Sequence, residues 1–352
     1  MNDSPTGHYA EPQAHGNWGP PYLLYLGNAV DDLSIKTARG LAHWRPEQCL
    51  GQFRGPSCNA TLNLPDMTFA DAKAAGADTM VVGVANAGGT VSLDVQEDVV
   101  AALDAGLNVA SGLHRRLVSF PAAADAAQRA GRSLFDARWF PQQLPVGNGA
   151  PRAGRRLLTV GTDCSVGKMY AALAIERAMR ARDLAADFRA TGQTGILIAG
   201  CGVPIDAVVA DFLSGAAEWV SPARDDGGWD LIEGQGSLFH PSFAGVSLGL
   251  LHGAQPDALV LCHELGRPHM RGLPNYLLPS LEACLAANLA AARLTSPNVE
   301  FVGVAVNSSR LSPESAAAAC EEIEGKLGLP CEDPVTMGVE RIVDRLISCV
   351  GC

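Results

Sequence analysis

The chain has 352 residues, of which 47% are hydrophobic and 18% charged, and a formal net charge of -11. That is enough apolar material for a large core, and at roughly 100 to 200 residues per domain it predicts two domains. The acidic balance and the lack of any Lys/Arg-rich run exclude a nucleic-acid or anionic-membrane surface, which needs a cationic field, so small molecules are the expected partners.

The N-terminal stretch MNDSPTGHYAEPQAHGNWGPP has no basic segment leading into an apolar one, and residues 1–20 are expected to be loosely attached. No window reaches the roughly 18 apolar residues of a membrane span, which leaves a cytoplasmic protein as the expectation. The ten cysteines are scattered, mostly within apolar segments, and read as buried thiols rather than a disulfide framework. Cys349-Val-Gly-Cys352 has metal or redox spacing but no second ligand pair to go with it.

In chain order, the apolar run YLLYLG predicts a strand at 22–27, followed by a helix near 33–44. A strand at 79–85, a helix at 93–106, a strand at 108–113 and a helix at 121–131 come next. Strands alternating with helices of that length predict a parallel α/β sheet covered on both faces, here a domain spanning 21–142. GVANAGGTV (83–91) is similar to a dinucleotide turn but lacks G-x-G-x-x-G, so no NAD is expected. Residues 143–156, rich in Pro, Gly and Arg and without periodicity, read as a linker. A second α/β domain, 157–352, follows, with strands at 157–160, 185–188, 230–232, 258–263 and 301–307. Its helices are expected at about 168–182, 205–220, 278–294 and 313–328, the last opening on the N-cap pair Ser312-Pro313.

The stretch LLTVGTDCSVGKMYAALAIERAM runs from an apolar strand through a polar loop into a helix. In a phosphate-binding loop, backbone N–H groups of the turn and of the first helical turn point at a phosphate, and a lysine adds a point charge. Gly167 and Lys168 occupy those places, although the first glycine falls at Gly161, with Thr162 in the usual position. The candidate phosphate-holding residues are therefore Gly161, Thr162, Asp163, Cys164, Ser165, Val166, Gly167, Lys168 and Met169. The spacing of GTDCSVGK resembles the loop of dethiobiotin synthetases. Glu233, just after an apolar strand, stands where such proteins direct a carboxylate at the phosphates, and Asn307 ends a strand where they contact the nucleotide base, or simply forms a turn. Met169 replaces the Ser or Thr that would hold magnesium. A thioether is a poor ligand for a hard divalent ion, and phosphoryl transfer needs that ion, so no metal is expected and the loop reads as an anchor for a ligand whose phosphates are a handle, such as coenzyme A.

The stretches VGTDCSVGKM, ATGQTGILIAGCGVPIDAVVADFLSGAAEW, EGQGSLFHPSFAGVSLGLLHGAQPDALVLCHE and GRPHMRGLPNY closely resemble a bacterial and archaeal family long known only as a domain of unknown function. Its characterised members are D-glutamate N-acetyltransferases. The resemblance covers about residues 20–348 and implies a Rossmann-like N-terminal domain, a P-loop NTPase-like C-terminal domain and acetyl-CoA as co-substrate. The family's lysine is likewise followed by methionine.

Acetylating an amine requires a held thioester, a base for the ammonium proton and donors for the oxyanion. In FRATGQTGI, Arg189 could grip a substrate carboxylate while Thr191, Gln193 and Thr194 donate hydrogen bonds, and Arg267 would be a second clamp for a dicarboxylate. Glu233 and His240 are the candidate bases; histidine ordinarily changes charge near neutral pH. Cys164 invites a covalent acetyl-cysteine, but a thiol beneath the phosphates is remote from the acetyl end of the pantetheine arm, which favours direct transfer. A homo-oligomer is expected. An ATP- and magnesium-dependent ligase or kinase of the dethiobiotin synthetase type is the alternative that loop spacing, Glu233 and Asn307 leave open, and a non-catalytic nucleotide or CoA binder is a third.

Overall fold

The computed structural model describes residues 18–31, 34–84 and 91–350. Most of the GVANAGGTV turn, at 85–90, lies outside them, as do Cys352 and the stretch 1–17. The chain forms two compact units, one made of 13–141 together with 193–204, the other containing 142–192 and 205–352.

The first unit is built on strands β1 (Tyr22–Gly27), β2 (Cys49–Arg54), β3 (Thr79–Val82), β4 (Asn108–Ser111) and β5 (Leu134–Asp136). All pair in parallel in the order β2-β1-β3-β4-β5. β1, β3 and β4 are buried along their whole length, as near-continuous apolar strands covered on both faces should be. Helices α1 (Lys36–Trp44), α2 (Phe69–Ala74), α3 (Leu93–Asp104) and α4 (Pro121–Ala130) connect them. Gly83 lets α1 lie close, since a Cβ there would sit 2.3 Å from the Cβ of Ala38.

The second unit opens with β6 (Arg155–Gly161), α5 (Lys168–Arg180) and β7 (Ala186–Arg189). The chain then returns to the first unit as α6 (Gln193–Ala199), whose Ile196, Leu197 and Ile198 are buried there. This differs from the expectation of an unbroken domain over 157–352. Seven residues are too few to show helical periodicity. The expected helix over 205–220 is also shorter: 3-10 turns occupy Ile205–Ala207 and Ala210–Phe212, and α7 runs only from Leu213 to Val220. Residues 206 and 207 and 209–211 are exposed, so no apolar stripe holds a helix on the sheet before Leu213.

β8 (Trp229–Ile232), α8 (Ala244–Ala254), β9 (Ala258–Glu264), the antiparallel pair β10 (His269–Met270) and β11 (Leu273–Leu277), α9 (Leu281–Ala292), β12 (Glu300–Asn307), α10 (Pro313–Leu327), β13 (Cys331–Glu332) and α11 (Glu340–Val350) complete the unit. Its six strands are parallel in the order β13-β12-β9-β6-β8-β7. The presumed linker is docked on this unit: the N–H groups of Asn148 and Gly149 donate to the buried Glu218 carboxylate, and Arg152 bonds the carbonyls of Gly253 and Ala254.

Asp230 in β8 is fully buried and accepts from Arg189 Nε and Arg224 Nη1, both at 2.8 Å, and from Ser221 Oγ at 2.6 Å. Ser221 Oγ in turn accepts from Arg156, whose guanidinium burial destabilises. Removing the carboxylate would strand these cations in a low-dielectric interior. Asp230→Ala is expected to lose about 3–5 kcal/mol of stability, the cost typical of breaking a buried ion pair, read as a lowered urea midpoint with unchanged slope.

Candidate phosphate-anchoring site

From the carboxyl end of β6 the chain passes to β7, whereas from the adjacent β9 it passes to β12 on the other side, so the connections of these two neighbours diverge, the place where open α/β sheets collect ligands. The loop between β6 and α5 sits there. Ser165 (φ 54) and Gly167 (φ 103) are both left-handed, and alternation of this kind turns successive N–H groups into one concavity. The first turn of α5 adds N–H groups with no intrahelical acceptor and the positive end of its dipole. Gly161, one place early for the usual motif, has its own reason: a Cβ there would meet Val166 Cγ2 at 2.9 Å and Lys168 Nζ at 3.0 Å. Lys168 folds back over the loop, buried, with Nζ donating to the Asp163 carbonyl at 2.8 Å; desolvation pulls its pKa down.

The segment after β8 runs directly beneath this loop. A Cβ on Gly234 would lie 1.6 Å from the Thr159 carbonyl oxygen, so only glycine fits, and Gly234 N–H donates to Thr159 Oγ1 at 2.9 Å. Glu233 is thereby buried beside Lys168. Its Oε2 accepts from the N–H groups of Thr191 and Gly192, each at 3.0 Å. Burial pushes its pKa up to about 7, outweighing those two bonds and Lys168, which pull it down. Ser237 Oγ donates to the Thr162 carbonyl, and His240 N–H to the Ser237 carbonyl, which carries His240 to the loop.

Asp163 locks the other side. Its Oδ1 accepts from Cys164 N–H at 2.6 Å, and its Oδ2 from Arg267 Nη1 at 2.8 Å and Arg271 N–H at 2.7 Å. Arg267 also donates to the carbonyls of Cys164 and Ser165 and pairs with Glu264. Arg267, expected as a substrate clamp, braces the loop in this structure. Arg189 is likewise engaged by Asp230 rather than offered to a carboxylate. Thr191 spends its hydroxyl on the Glu233 carbonyl and accepts from Gln235. Gln193 and Thr194 belong to α6 in the first unit, where the hydroxyls of Thr194 and Thr37 meet at 3.2 Å. Asn307 forms the turn, its Oδ1 accepting from Ser309 N–H. The Cys164 thiol is not activated: burial raises its pKa despite Lys168, Arg271 and Arg267. The braces from 267–271 were missed from sequence because they act through an arginine and a main-chain N–H with no local motif.

A carboxylate oxygen of Asp163, Cys164 Sγ and a ring nitrogen of His240 lie within 4.8 Å of one another, the separation of a metal-ligand set. The donors do not fit one as they stand. Both Asp163 oxygens carry N–H donors, the thiol is held protonated by burial, and His240 Nδ1 already accepts from Ser242 N–H at 3.1 Å.

Residues 145–343 match the model of a P-loop domain described as a domain of unknown function, DUF1611_C, and residues 49–139 match its companion Rossmann-like domain, DUF1611_N. The chain belongs to the DUF1611 family. It is 52% identical over 328 residues to a D-glutamate N-acetyltransferase from Tritonibacter scottomollicae, covering 93% of this chain and 98% of that protein. A D-glutamate N-acetyltransferase from a Pseudoalteromonas species is 50% identical, with the same coverages. A crystal structure of a DUF1611 protein from Anabaena variabilis ATCC 29413 superposes with a TM-score of 0.85 at 30% identity, covering 94% of this chain and all of that one. This DUF1611 member is an enzyme of the N-acetyltransferase class. Among the described residues no helix is long and apolar enough to cross a membrane.

The braced loop makes Arg267 and Arg189 separable. Arg267→Ala should weaken binding of inorganic pyrophosphate by about tenfold, equivalent to about 1.4 kcal/mol, measured by calorimetry. Arg189→Ala should leave that affinity unchanged and lower the melting temperature instead.

Proposed function

We propose that this DUF1611 enzyme transfers the acetyl group of acetyl-CoA directly to the amino group of D-glutamate, with the loop at 161–169 gripping the coenzyme's phosphates and no metal between them. The acceptor is the one named for both relatives. The observation that carries the anchoring role is the buried Lys168 amine folded over a loop of left-handed Ser165 and Gly167, with Met169 where a magnesium ligand would be needed. In the reaction the amine lone pair attacks the thioester carbonyl, the C–S bond breaks, and the departing thiolate takes up the proton released by the amine.

This placement changes the role of Glu233. Held beside Lys168 by the amides of Thr191 and Gly192, it lies at the phosphates and not at the far end of the pantetheine arm, the same argument that removes Cys164 from the chemistry. Without a metal, an ionised carboxylate there repels the ligand, whereas a protonated one does not. A folded-state pKa of about 7 permits the protonated form under ordinary conditions.

Two measurements test the reading. With EDTA present, thiol release from acetyl-CoA should depend on D-glutamate; magnesium-dependent ADP formation without thiol release would reject it in favour of the ligase or kinase alternative. Wild-type affinity for CoA should fall relative to Glu233→Gln as pH rises through about 7, because only the wild type gains a negative charge beside the phosphates. Glu233→Gln should keep its turnover. A general base would instead lose roughly 10²- to 10⁴-fold, with a wild-type kcat/KM that rises through the same pH range.

A further inference from the structure

The described buried side chains leave one conspicuous polar atom at the loop: His240 is 3% exposed, and its Nε2 has no hydrogen-bond partner. The ring is not loosely placed. Nδ1 accepts from Ser242 N–H at 3.1 Å, the ring packs on Phe243 with centroids 4.6 Å apart, and the backbone N–H is tied to Ser237, whose hydroxyl holds the Thr162 carbonyl. Because a main-chain N–H points at Nδ1, that nitrogen carries no proton. The single ring proton is therefore on Nε2, which makes Nε2 a donor and neither a base nor a metal ligand. A buried donor without an acceptor is unfavourable, a cost that a ligand acceptor would remove.

We propose that His240 is a phosphate-binding residue: its Nε2–H donates to an oxygen of the phosphate group held by the 161–169 loop. The inference rests on the anchoring role of that loop and extends it. Ser237, Ser242 and Phe243 fix the ring, and the cluster with Asp163 and Cys164 puts it against the loop. Lys168 supplies charge and His240 supplies direction, since a neutral N–H donates along one line while an ammonium acts as a point charge. His240 thus leaves the set of candidate bases for a role at the anchor.

The test is calorimetric titration of the full chain with CoA in EDTA, comparing wild type with Lys168→Ala, His240→Ala and His240→Gln. Glutamine is chosen because its amide NH₂ can take the place of Nε2–H. His240→Ala should weaken CoA by about 10- to 100-fold, the range for a lost hydrogen bond to a charged group, while His240→Gln should stay within about threefold of wild type. Unchanged affinity in His240→Ala, with Lys168→Ala weakened, would overturn the His240 role and leave the loop reading intact. Unchanged affinity in Lys168→Ala would reject the loop reading itself. A folding defect in His240→Ala is bypassed by ¹⁵N-histidine spectra of the wild type, with His240 assigned from its absence in His240→Gln. The ring should carry its proton on Nε2, and that N–H should shift on adding inorganic pyrophosphate. A proton on Nδ1, no shift, or stoichiometric zinc binding that competes with pyrophosphate and is lost in His240→Gln would each overturn the proposal.

Discussion

A buried ammonium is the constraint around which the second unit is arranged. Lys168 sits inside the fold, with its Nζ bonded to a carbonyl of its own loop and desolvation working against its charge. A buried amine of this kind has to be met by hydrogen bonds and by nearby opposite charge, or give up its proton. Gly161 leaves room for the lysine to fold back, Gly234 brings the next strand's carboxyl end to within contact of β6, and Asp163 ties the loop to 267–271 on the far side. The loop is therefore braced from outside it as well as by its own bonds.

The same bracing engages two arginines that in sequence look like substrate clamps. Arg267 braces the loop through two of its carbonyls and Asp163, and pairs with Glu264. Arg189 answers a different demand, the buried Asp230 in the neighbouring strand. Neither side chain is free to serve a substrate carboxylate without leaving a carbonyl or a carboxylate unsatisfied.

Periodicity made the architecture legible. The strands at 22–27, 79–82 and 258–264, and the helices at 93–104 and 313–327, follow apolar patterns long enough to read, and strand–loop–helix order located the phosphate loop. What stayed hidden was of two kinds. β5 and α6 are too short for a period to emerge, β2 mixes apolar and polar residues without alternation, and α8 is apolar nearly all round. Residue roles were hidden for another reason: Arg189 and Arg267 have the same side chain whether they clamp a substrate or brace a strand, and only the partner decides. Their partners, Asp230 and Asp163, are 41 and 104 positions away. The orphaned Nε2 of His240 is illegible for the same reason, being defined by a bond its other nitrogen makes.

Replacing the magnesium hydroxyl by Met169 alters the electrostatics of every group nearby. In a metal-dependent loop, carboxylates close to the phosphates are balanced by the dication. In the proposed metal-free loop that balance has to come from the protein, which can add fixed donors or neutralise acids. Both devices fit what surrounds Lys168. The Asp163 carboxylate is covered by N–H donors from Cys164, Arg267 and Arg271. Glu233 is buried deeply enough to retain its proton up to about pH 7. His240 presents an N–H and not a lone pair. On that proposal the methionine is one member of a set: a phosphate site without a metal must also silence its acids, and the residues around this loop are suited to do so.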